Sequence, residues 1–468
     1  MKRVNRTLLD KIAFWILCVI LFDCTALGGG SLIKIFGIDH RMILYGLFFV
    51  ATIPLIIMNI KKLFTNKYLI ILVFWAVWLA FCTIKGFKIG NSVSSIISGL
   101  IGFASFGILP GMLSLRMDKE RIHFLMKVLC VGTAVLALET FAVIVVYNYF
   151  NLNIFNDLNL FLIHKEIGGC SYVDNSVVRV FFRSHPLAVC GCASALYLLT
   201  KSPCKKEKLF YYGVVIIGFF SLLTSYTRSV YLSLAISISI IFVGLLILKK
   251  DGRKQILKIA GKTVAFFMAF LIFCDILFAA NFLNHGVKRS IGVDVVAKIE
   301  SVFNAEVVKP DEESENEVEN VIDEPYEQVD RWSDNLRAET EKELYDRIAE
   351  NPIFGSGMGA SLKVRENLDN ANEYFYLDQT MKTGLIGILL YMLPMIFMII
   401  TLLFKSKNIL ADNKALCLLW IAGLIGIAAF SSLNPYLNGS NGIIFYCCTI
   451  CVFSRLCNKN DTENAEEG

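Results

Sequence analysis

The sequence has few charged residues for its length. Only 18% of its 468 residues are Asp, Glu, Lys or Arg, whereas about 25% is typical of soluble proteins. Hydrophobic residues make up 56% of the chain, and the mean hydropathy is +0.60. This composition excludes an ordinary soluble enzyme and a disordered protein. Most Lys and Arg residues occur in short clusters between apolar runs, so the net charge of +5 does not indicate a nucleic-acid partner.

The sequence also lacks the cysteine patterns of metal sites and of disulfide frameworks. None of the 14 cysteines belongs to a pair of Cys-x-x-Cys motifs, and most of them lie in apolar segments. In such segments cysteine behaves as a small hydrophobic residue. A disulfide-stapled secreted domain is therefore excluded, and we expect neither a metal site nor a cofactor.

Long apolar runs are abundant, and each is close to the roughly 17–25 residues that cross a bilayer as a helix. Twelve runs fit this description: 12–28, 42–60, 68–84, 92–115, 125–149, 184–200, 209–224, 229–248, 263–281, 384–404, 415–433 and 440–455. The sequence thus predicts an all-α polytopic membrane protein with about twelve spans. Nine spans fall in a membrane domain at 1–281 and three in a second part at 384–468.

The charges between the runs predict the orientation of the chain. If the N-terminus is inside, the inside segments hold 26 Lys and Arg residues, and the short outside segments hold 8. Positively charged residues accumulate on the cytoplasmic side of short loops. We therefore expect both termini in the cytoplasm, and the loops 150–183 and 282–383 on the outside of a bacterial cytoplasmic membrane.

The loop 282–383 is far longer than a connection between spans requires, which indicates function or disorder. Its part 307–330 is acidic and poor in aromatic residues, and we expect it to be disordered. A helix is predicted at 333–351, because Ser333 or Asp334 can cap its start and Pro352 follows its end. The glycine-rich sequence after this helix reads as a flexible turn.

Four arginines of the predicted outside segments stand where contact with lipid alone would not place them: Arg179, Arg183, Arg228 and Arg337. A charged residue at the membrane surface suggests function by default, and the planar guanidinium matches phosphate oxygens. Several arginines converging there would form an anion site suited to a lipid-linked pyrophosphate. The alternative for each is a side chain that extends to the interface and has only a structural role.

Other polar residues near these arginines have weaker signals. His185 precedes a proline and is more often structural than catalytic. Glu373 and Asp378 could accept a proton from a sugar hydroxyl, although Asp378 fits better as a polar collar at a helix start. The Gly-x-Gly-x-Gly at 355–359 follows no soluble strand, so we reject a nucleotide site.

Taken in order, these motifs resemble the O-antigen ligase and polymerase superfamily of bacterial membrane proteins. The resemblance covers about residues 170–440. Its motifs are Arg179…Arg183-Ser-His-Pro, Thr224-Ser-Tyr-Thr-Arg-Ser, Arg337…Ile348-Ala-Glu-Asn-Pro-Ile-Phe-Gly-Ser-Gly-Met-Gly and Asn372-Glu-Tyr…Lys382-Thr-Gly-Leu-Ile-Gly.

The resemblance implies a metal-independent membrane glycosyltransferase of the GT-C kind, with one large extracytoplasmic loop. It would take a glycan from undecaprenyl pyrophosphate and transfer the reducing end of that glycan to an acceptor. By matching motif, Arg228 and Arg337 would hold the pyrophosphate and stabilise the leaving diphosphate. The substrate-binding residues would be Arg179, Arg183, His185, Asn372 and Tyr374.

The chain departs from the family pattern at two positions. Ligases typically carry His-Asn where this chain has Ala371-Asn372, and the loop helix has Glu341 where a Trp is usual. The missing histidine favours a polymerase over a ligase. It also leaves Glu373 as the nearest substitute for a catalytic base.

The sequence therefore predicts a polymerase for a capsule, exopolysaccharide or O-antigen. It would extend one lipid-linked repeat unit with another at the outer face of the membrane. A ligase that attaches the glycan to a lipid or protein is the alternative within the family. A flippase for lipid-linked oligosaccharides is the alternative of another class, although no internal repeat supports it. Whether a chain-length regulator also binds stays open.

Overall fold

The computed structural model describes most of the chain. It covers residues 6–28, 32–150, 152–172, 177–202, 204–248, 252–278, 282, 325–365, 373–404 and 409–457. The prediction of disorder for 307–330 falls outside these residues up to 324 and is wrong for 325–330, which are helical. The prediction for Asn372 also falls outside the described residues.

Helices make up nearly all of the described structure. They are α1 Arg6–Ala26, α2 His40–Phe64, α3 Lys67–Ile89, α4 Val93–Ile101, α5 Leu109–Ser114, α6 Lys119–Tyr149, α7 Leu152–His164, α8 His185–Lys201, α9 Lys205–Thr224, α10 Arg228–Leu248, α11 Arg253–Phe278, α12 Pro325–Glu350, α13 Phe375–Phe404, α14 Ala411–Phe430 and α15 Ser440–Leu456. A 3₁₀ helix, Gly102–Ile108, joins α4 to α5, and another covers Lys363–Arg365.

The apolar runs fold as helices because a segment in a bilayer has to satisfy its own backbone hydrogen bonds. In the described part of the chain, nine stretches are long and apolar enough to cross a membrane, with α4 and α5 joined in one of them. The three other predicted runs coincide with α1, α8 and α15. The prediction of an all-α polytopic membrane protein is confirmed, and the number twelve stays a prediction.

The bundle has central and peripheral helices. α10 packs along α14, α8 lies against both α6 and α9, and α3 packs along α13. In the most apolar 18 residues of α14, 78% of the residues are buried. In the corresponding stretches of α2 and α11, only 17% are buried. The peripheral helices therefore present exposed Leu, Ile, Val and Phe side chains, as lipid contact requires.

Two short antiparallel hairpins interrupt the helical pattern. β1 (Lys34–Ile35) pairs with β2 (Ile38–Asp39), and β3 (Gly168–Tyr172) pairs with β4 (Val178–Phe182). The second hairpin lies in the predicted outside loop 150–183. It places Arg179 opposite Ser171.

Three helices begin eight or more residues before their predicted starts. α11 begins at Arg253 rather than at residue 263. α12, which we call the loop helix, begins at Pro325 rather than at Ser333 or Asp334. Proline suits the first turn of a helix, because the N–H that it lacks has no partner there. α13 begins at Phe375, nine residues before the predicted start, and its predicted start Gly384 is a kink with φ 71° and ψ 177°.

The glycine-rich sequence is a packed connection and not an open turn. Residues 352–359, which we call the glycine segment, lie between the end of α3 and the kink in α13. Gly355, Gly357 and Gly359 all have positive φ. The segment directly follows the loop helix and is hydrogen-bonded to both α3 and the start of α13.

Candidate functional site

The predicted site residues gather at one end of the bundle, which we call the loop face. It consists of the loop helix, the β3–β4 hairpin and the N-terminal ends of α10 and α13. The loop helix packs on α13 through a small apolar cluster that includes Leu344, Leu362 and Met381. The hairpin contacts α6 and α9. The outside segments of the predicted topology thus come together at one end.

Arg179 holds the turn that precedes Arg228. Its Nε donates to the carbonyl of Ser225 at 3.1 Å, and its Nη2 lies 3.3 Å from Oγ1 of Thr227. The turn includes Tyr226, which is buried and has φ 45°. A non-glycine residue in this conformation needs support from its surroundings. Arg179 supplies part of that support and thereby sets the start of α10.

Arg228 is the first residue of α10, and its side chain is exposed. Among the residues that the structure describes, none makes a hydrogen bond or ion pair with this guanidinium. No acidic residue occupies the first turn of α10. The N-terminal end of a helix carries partial positive charge and attracts anions. The charge of Arg228 therefore adds to that of the helix end.

Arg337 contacts Glu373, the residue that the sequence analysis named as a substitute base. The Nε of Arg337 lies 2.6 Å from Oε2 of Glu373, and both side chains are partly exposed. This contact joins the loop helix to the segment just before α13. A partly exposed ion pair of this kind contributes little to stability, so it can exchange its carboxylate for another anion at small cost.

A chain of contacts connects Arg337 with Arg228 across the loop face. Glu373 lies two residues before α13, and the hydroxyl of Tyr376 donates to the carbonyl of Ala428 at 2.8 Å. Beyond the end of α14, the amide of Asn434 donates to Oγ of Ser229 at 2.7 Å. Ser229 is next to Arg228. Both arginines therefore stand at the same end of the bundle, on elements fixed to one another.

Two further predicted residues, Arg183 and Tyr374, make contacts within the protein that can be purely structural. Arg183 forms an exposed ion pair with Glu166 at 2.9 Å. Tyr374 packs beside the apolar cluster under the loop helix. Neither contact excludes a substrate, and neither requires one.

His185 is fully buried. The backbone N–H of Phe182 donates to its Nδ1 at 3.2 Å, so its Nε2 carries the hydrogen and donates to Oγ of Ser221 at 3.1 Å. This arrangement ties the hairpin to α9 and favours the structural alternative for this histidine.

The structure also shows buried charges that sequence reasoning missed. Asp378, expected as a polar collar, is buried and forms an ion pair with Lys382 at 2.7 Å. Arg41 is 4% exposed, and its Nε lies 2.6 Å from Oδ2 of Asp23. Its Nη1 donates to Oδ1 of Asn441 at 2.6 Å. An Asp within the first apolar run and an Arg at the start of the second were the available signals.

We find no metal-binding arrangement in the described part of the chain, where no group of three or more His, Cys, Asp or Glu residues could hold an ion. Cys170 in β3 is buried, and burial raises the pKa of its thiol to about 12. It is therefore protonated at neutral pH and a poor nucleophile. Of the residues predicted to be catalytic, Arg228 contributes an exposed guanidinium to the loop face, and Arg337 and Glu373 contribute a partly exposed guanidinium and carboxylate.

Comparison with known proteins shows the family of this chain. No curated protein matches the sequence. The family described as O-antigen ligase like membrane protein matches residues 169–434. That range is more than half of the chain, and it contains Arg179, Arg228, Arg337 and Glu373. The chain therefore belongs to the O-antigen ligase-like family of membrane proteins.

Proposed function

We propose that this protein is a polysaccharide polymerase that uses glycans linked to undecaprenyl pyrophosphate. It transfers the glycan from one lipid carrier to the non-reducing end of a second lipid-linked repeat unit. The reaction takes place at the loop face, which is on the outer side of the cytoplasmic membrane. The family supports a membrane enzyme of glycan ligation or polymerisation, and the finer statement is our proposal.

The contact between Arg337 and Glu373 is the observation that carries this proposal. It places a permanently charged phosphate-binding group next to a carboxylate that can act as a base. The two residues come from different elements, so the tertiary structure creates the pair. A donor with a diphosphate and an acceptor with a hydroxyl need these two groups side by side.

Arg228 supplies the second charge for the diphosphate. It is exposed at the N-terminal end of α10, where the helix also favours an anion. Arg179 then has an indirect role, because it holds the turn from which Arg228 projects. In this assignment Arg228 and Arg337 contact the substrate, and Arg179 positions one of them.

The proposed transfer breaks the bond between the anomeric carbon and the phosphate oxygen. The acceptor hydroxyl oxygen forms the new bond to that carbon, and its proton passes to the carboxylate of Glu373. The bonding pair stays with undecaprenyl diphosphate as it leaves. Arg228 and Arg337 stabilise the negative charge that develops on the leaving group.

The choice of a polymerase over a ligase rests on Ala371, which stands where ligases typically carry histidine. A ligase would add the glycan once to a separate lipid or protein acceptor. A flippase would move the lipid-linked glycan without changing any bond. Membership of the O-antigen ligase-like family argues for the two transferases and against the flippase.

Purified protein and lipid-linked repeat units, mixed in detergent, test the proposal. We expect a ladder of products with two or more repeats and release of undecaprenyl pyrophosphate. Because the arginines neutralise the leaving group, we expect the same ladder in the presence of EDTA. Products that form only after addition of a separate acceptor would identify a ligase. Intact donor under all conditions would contradict both transferase readings.

The topology can be tested separately by thiol labelling from the outside of whole cells. A cysteine introduced at Asp311 should react with an impermeant reagent, and one at Lys250 should react only after permeabilisation. Lys250 lies in one of the predicted inside segments, which hold most of the Lys and Arg residues of the short loops, and such segments stay in the cytoplasm. Equal labelling at both positions would contradict the outward location of the loop face.

A further inference from the structure

The glycine segment is bonded to the kinked start of α13 on one side. The N–H of Ser356 donates to the carbonyl of Met381 at 2.7 Å, and the N–H of Gly357 donates to that of Lys382 at 3.0 Å. The N–H of Leu385 in turn donates to the carbonyl of Pro352 at 2.9 Å. The kink at Gly384 leaves backbone groups outside the regular helical pattern, and the glycine segment pairs with them.

On its other side the glycine segment is bonded to the end of α3. The ammonium of Lys85 donates to the carbonyl of Gly355 at 2.5 Å, and the amide of Asn91 donates to that of Met358 at 2.9 Å. The N–H of Met358 donates to the carbonyl of Cys82 at 3.0 Å. Lys85 and Asn91 are thus the side chains of α3 and its C-terminal turn that bond to this segment.

The backbones of α3 and the glycine segment are in direct contact. A Cβ atom added to Gly86 would lie 2.2 Å from the carbonyl oxygen of Met358. One added to Gly357 would lie 2.7 Å from the backbone nitrogen of Gly86. Such close approach leaves no room for the segment to shift unless the hydrogen bonds to α3 are lost.

We propose that Lys85 and Asn91 are positioning residues for the transfer reaction. They fix the glycine segment, and through it they hold the loop helix so that Arg337 meets the diphosphate. This inference rests on the proposed function for its catalytic consequence. The mechanical part, that α3 holds the loop helix, rests on the contacts alone.

The position of Arg337 depends strongly on the glycine segment, because that segment lies at the far, C-terminal end of the loop helix. Arg337 lies thirteen residues before Glu350, the last residue of the helix, which at about 1.5 Å per residue is roughly 20 Å along the axis. A small rotation at the glycine segment therefore becomes a larger displacement at Arg337. Misplacement of a reacting group by about 1 Å can lower a rate by about a hundredfold.

A distance measurement tests the mechanical part without any activity. Spin labels are attached at Tyr345→Cys on the loop helix and at Ile89→Cys on α3, both exposed positions, in a Cys204→Ser background. We expect one narrow distance distribution for the parent protein and a broad or shifted one for Lys85→Met and Asn91→Leu. Lys85→Arg keeps a donor and should stay narrow. The control Lys88→Met, at an exposed lysine of the same helix, should also stay narrow.

Turnover then tests the connection to Arg337. We expect Lys85→Met to lower the rate of glycan transfer about tenfold per folded protein, with rescue by Lys85→Arg. In an Arg337→Ala background the same substitution should have no further effect, because Lys85 acts through that arginine. This role would be refuted if Lys85→Met left the rate unchanged, or if it lowered the rate by the same factor in the Arg337→Ala background as in the parent protein. Unchanged distance distributions would refute the proposal as a whole. A parent protein without transferase activity would contradict the proposed function, and the distances would still decide whether α3 holds the loop helix.

Discussion

Replacing Arg228 or Arg337 by alanine is expected to lower the rate of glycan transfer by about ten- to a hundredfold. Each change removes a charge-assisted contact to the leaving diphosphate, worth about 1.5–3 kcal/mol, and each 1.36 kcal/mol in the barrier is about tenfold in rate. Lysine at either position should restore activity only in part, because it lacks the planar fork. The measurement is polymer formation from purified lipid-linked repeat units, normalised to folded protein.

Arg253→Ala is the matched control for these two substitutions. Arg253 begins α11, and its Nε donates to the carbonyl of Leu246 at the opposite end of α10. Its loss should leave the rate unchanged. If the loop-face arginines only extend to the interface, lysine would replace them fully and alanine would reduce the amount of protein rather than its turnover. Full activity of both alanine variants would remove the proposed anion site.

The second large effect is expected for Gly384→Ala, which should prevent accumulation of folded protein. Gly384 has φ 71°, and an added Cβ would lie 2.0 Å from the carbonyl oxygen of Ile353. The strained backbone costs about 1–3 kcal/mol, and the overpacking adds about 1–3 kcal/mol. The sum is a large fraction of the stability of a typical protein.

Gly46→Ala in α2 is the contrasting substitution. A Cβ at Gly46 would meet no atom within 4 Å, and alanine is the better helix former by about 0.5–1 kcal/mol. We expect normal or slightly raised stability for this variant. The measurements are the yield of folded protein for both variants and, for the protein that is recovered, the thermal unfolding temperature in the same detergent. Equal behaviour of Gly384→Ala and Gly46→Ala would show that the kink tolerates a side chain and that the close packing of the glycine segment is not essential.

Much of the fold could be predicted from the sequence. The apolar runs gave the positions of the helices, because a span in a bilayer needs a continuous apolar stretch whatever its neighbours are. The helix starts that differed most, at Arg253, Pro325 and Phe375, all lie in segments richer in polar residues than the apolar runs. In such segments the hydropathy of the sequence does not indicate where the helix begins, and packing on neighbouring elements determines its start.

The site was only partly predictable. The motifs pointed to Arg228, Arg337 and Glu373, but not to the contact between the last two. His185 looked like a site residue, and its hydrogen bonds to Phe182 and Ser221 give it a buried structural place. The glycine segment looked like a flexible turn, because glycine is typical of turns and the sequence does not show what packs against it.

The sequence by itself determined the class of the protein, the run of helices and the types of residue at the loop face. These properties depend on local composition and on the low dielectric of the bilayer, and neighbours in space do not change them. Only the tertiary structure decided which charges meet. Arg337 reaches Glu373 across 36 residues of sequence, and Arg41 reaches Asn441 across 400. Such pairs form because helices far apart in the chain pack side by side, and that packing depends on the shapes of all of them together.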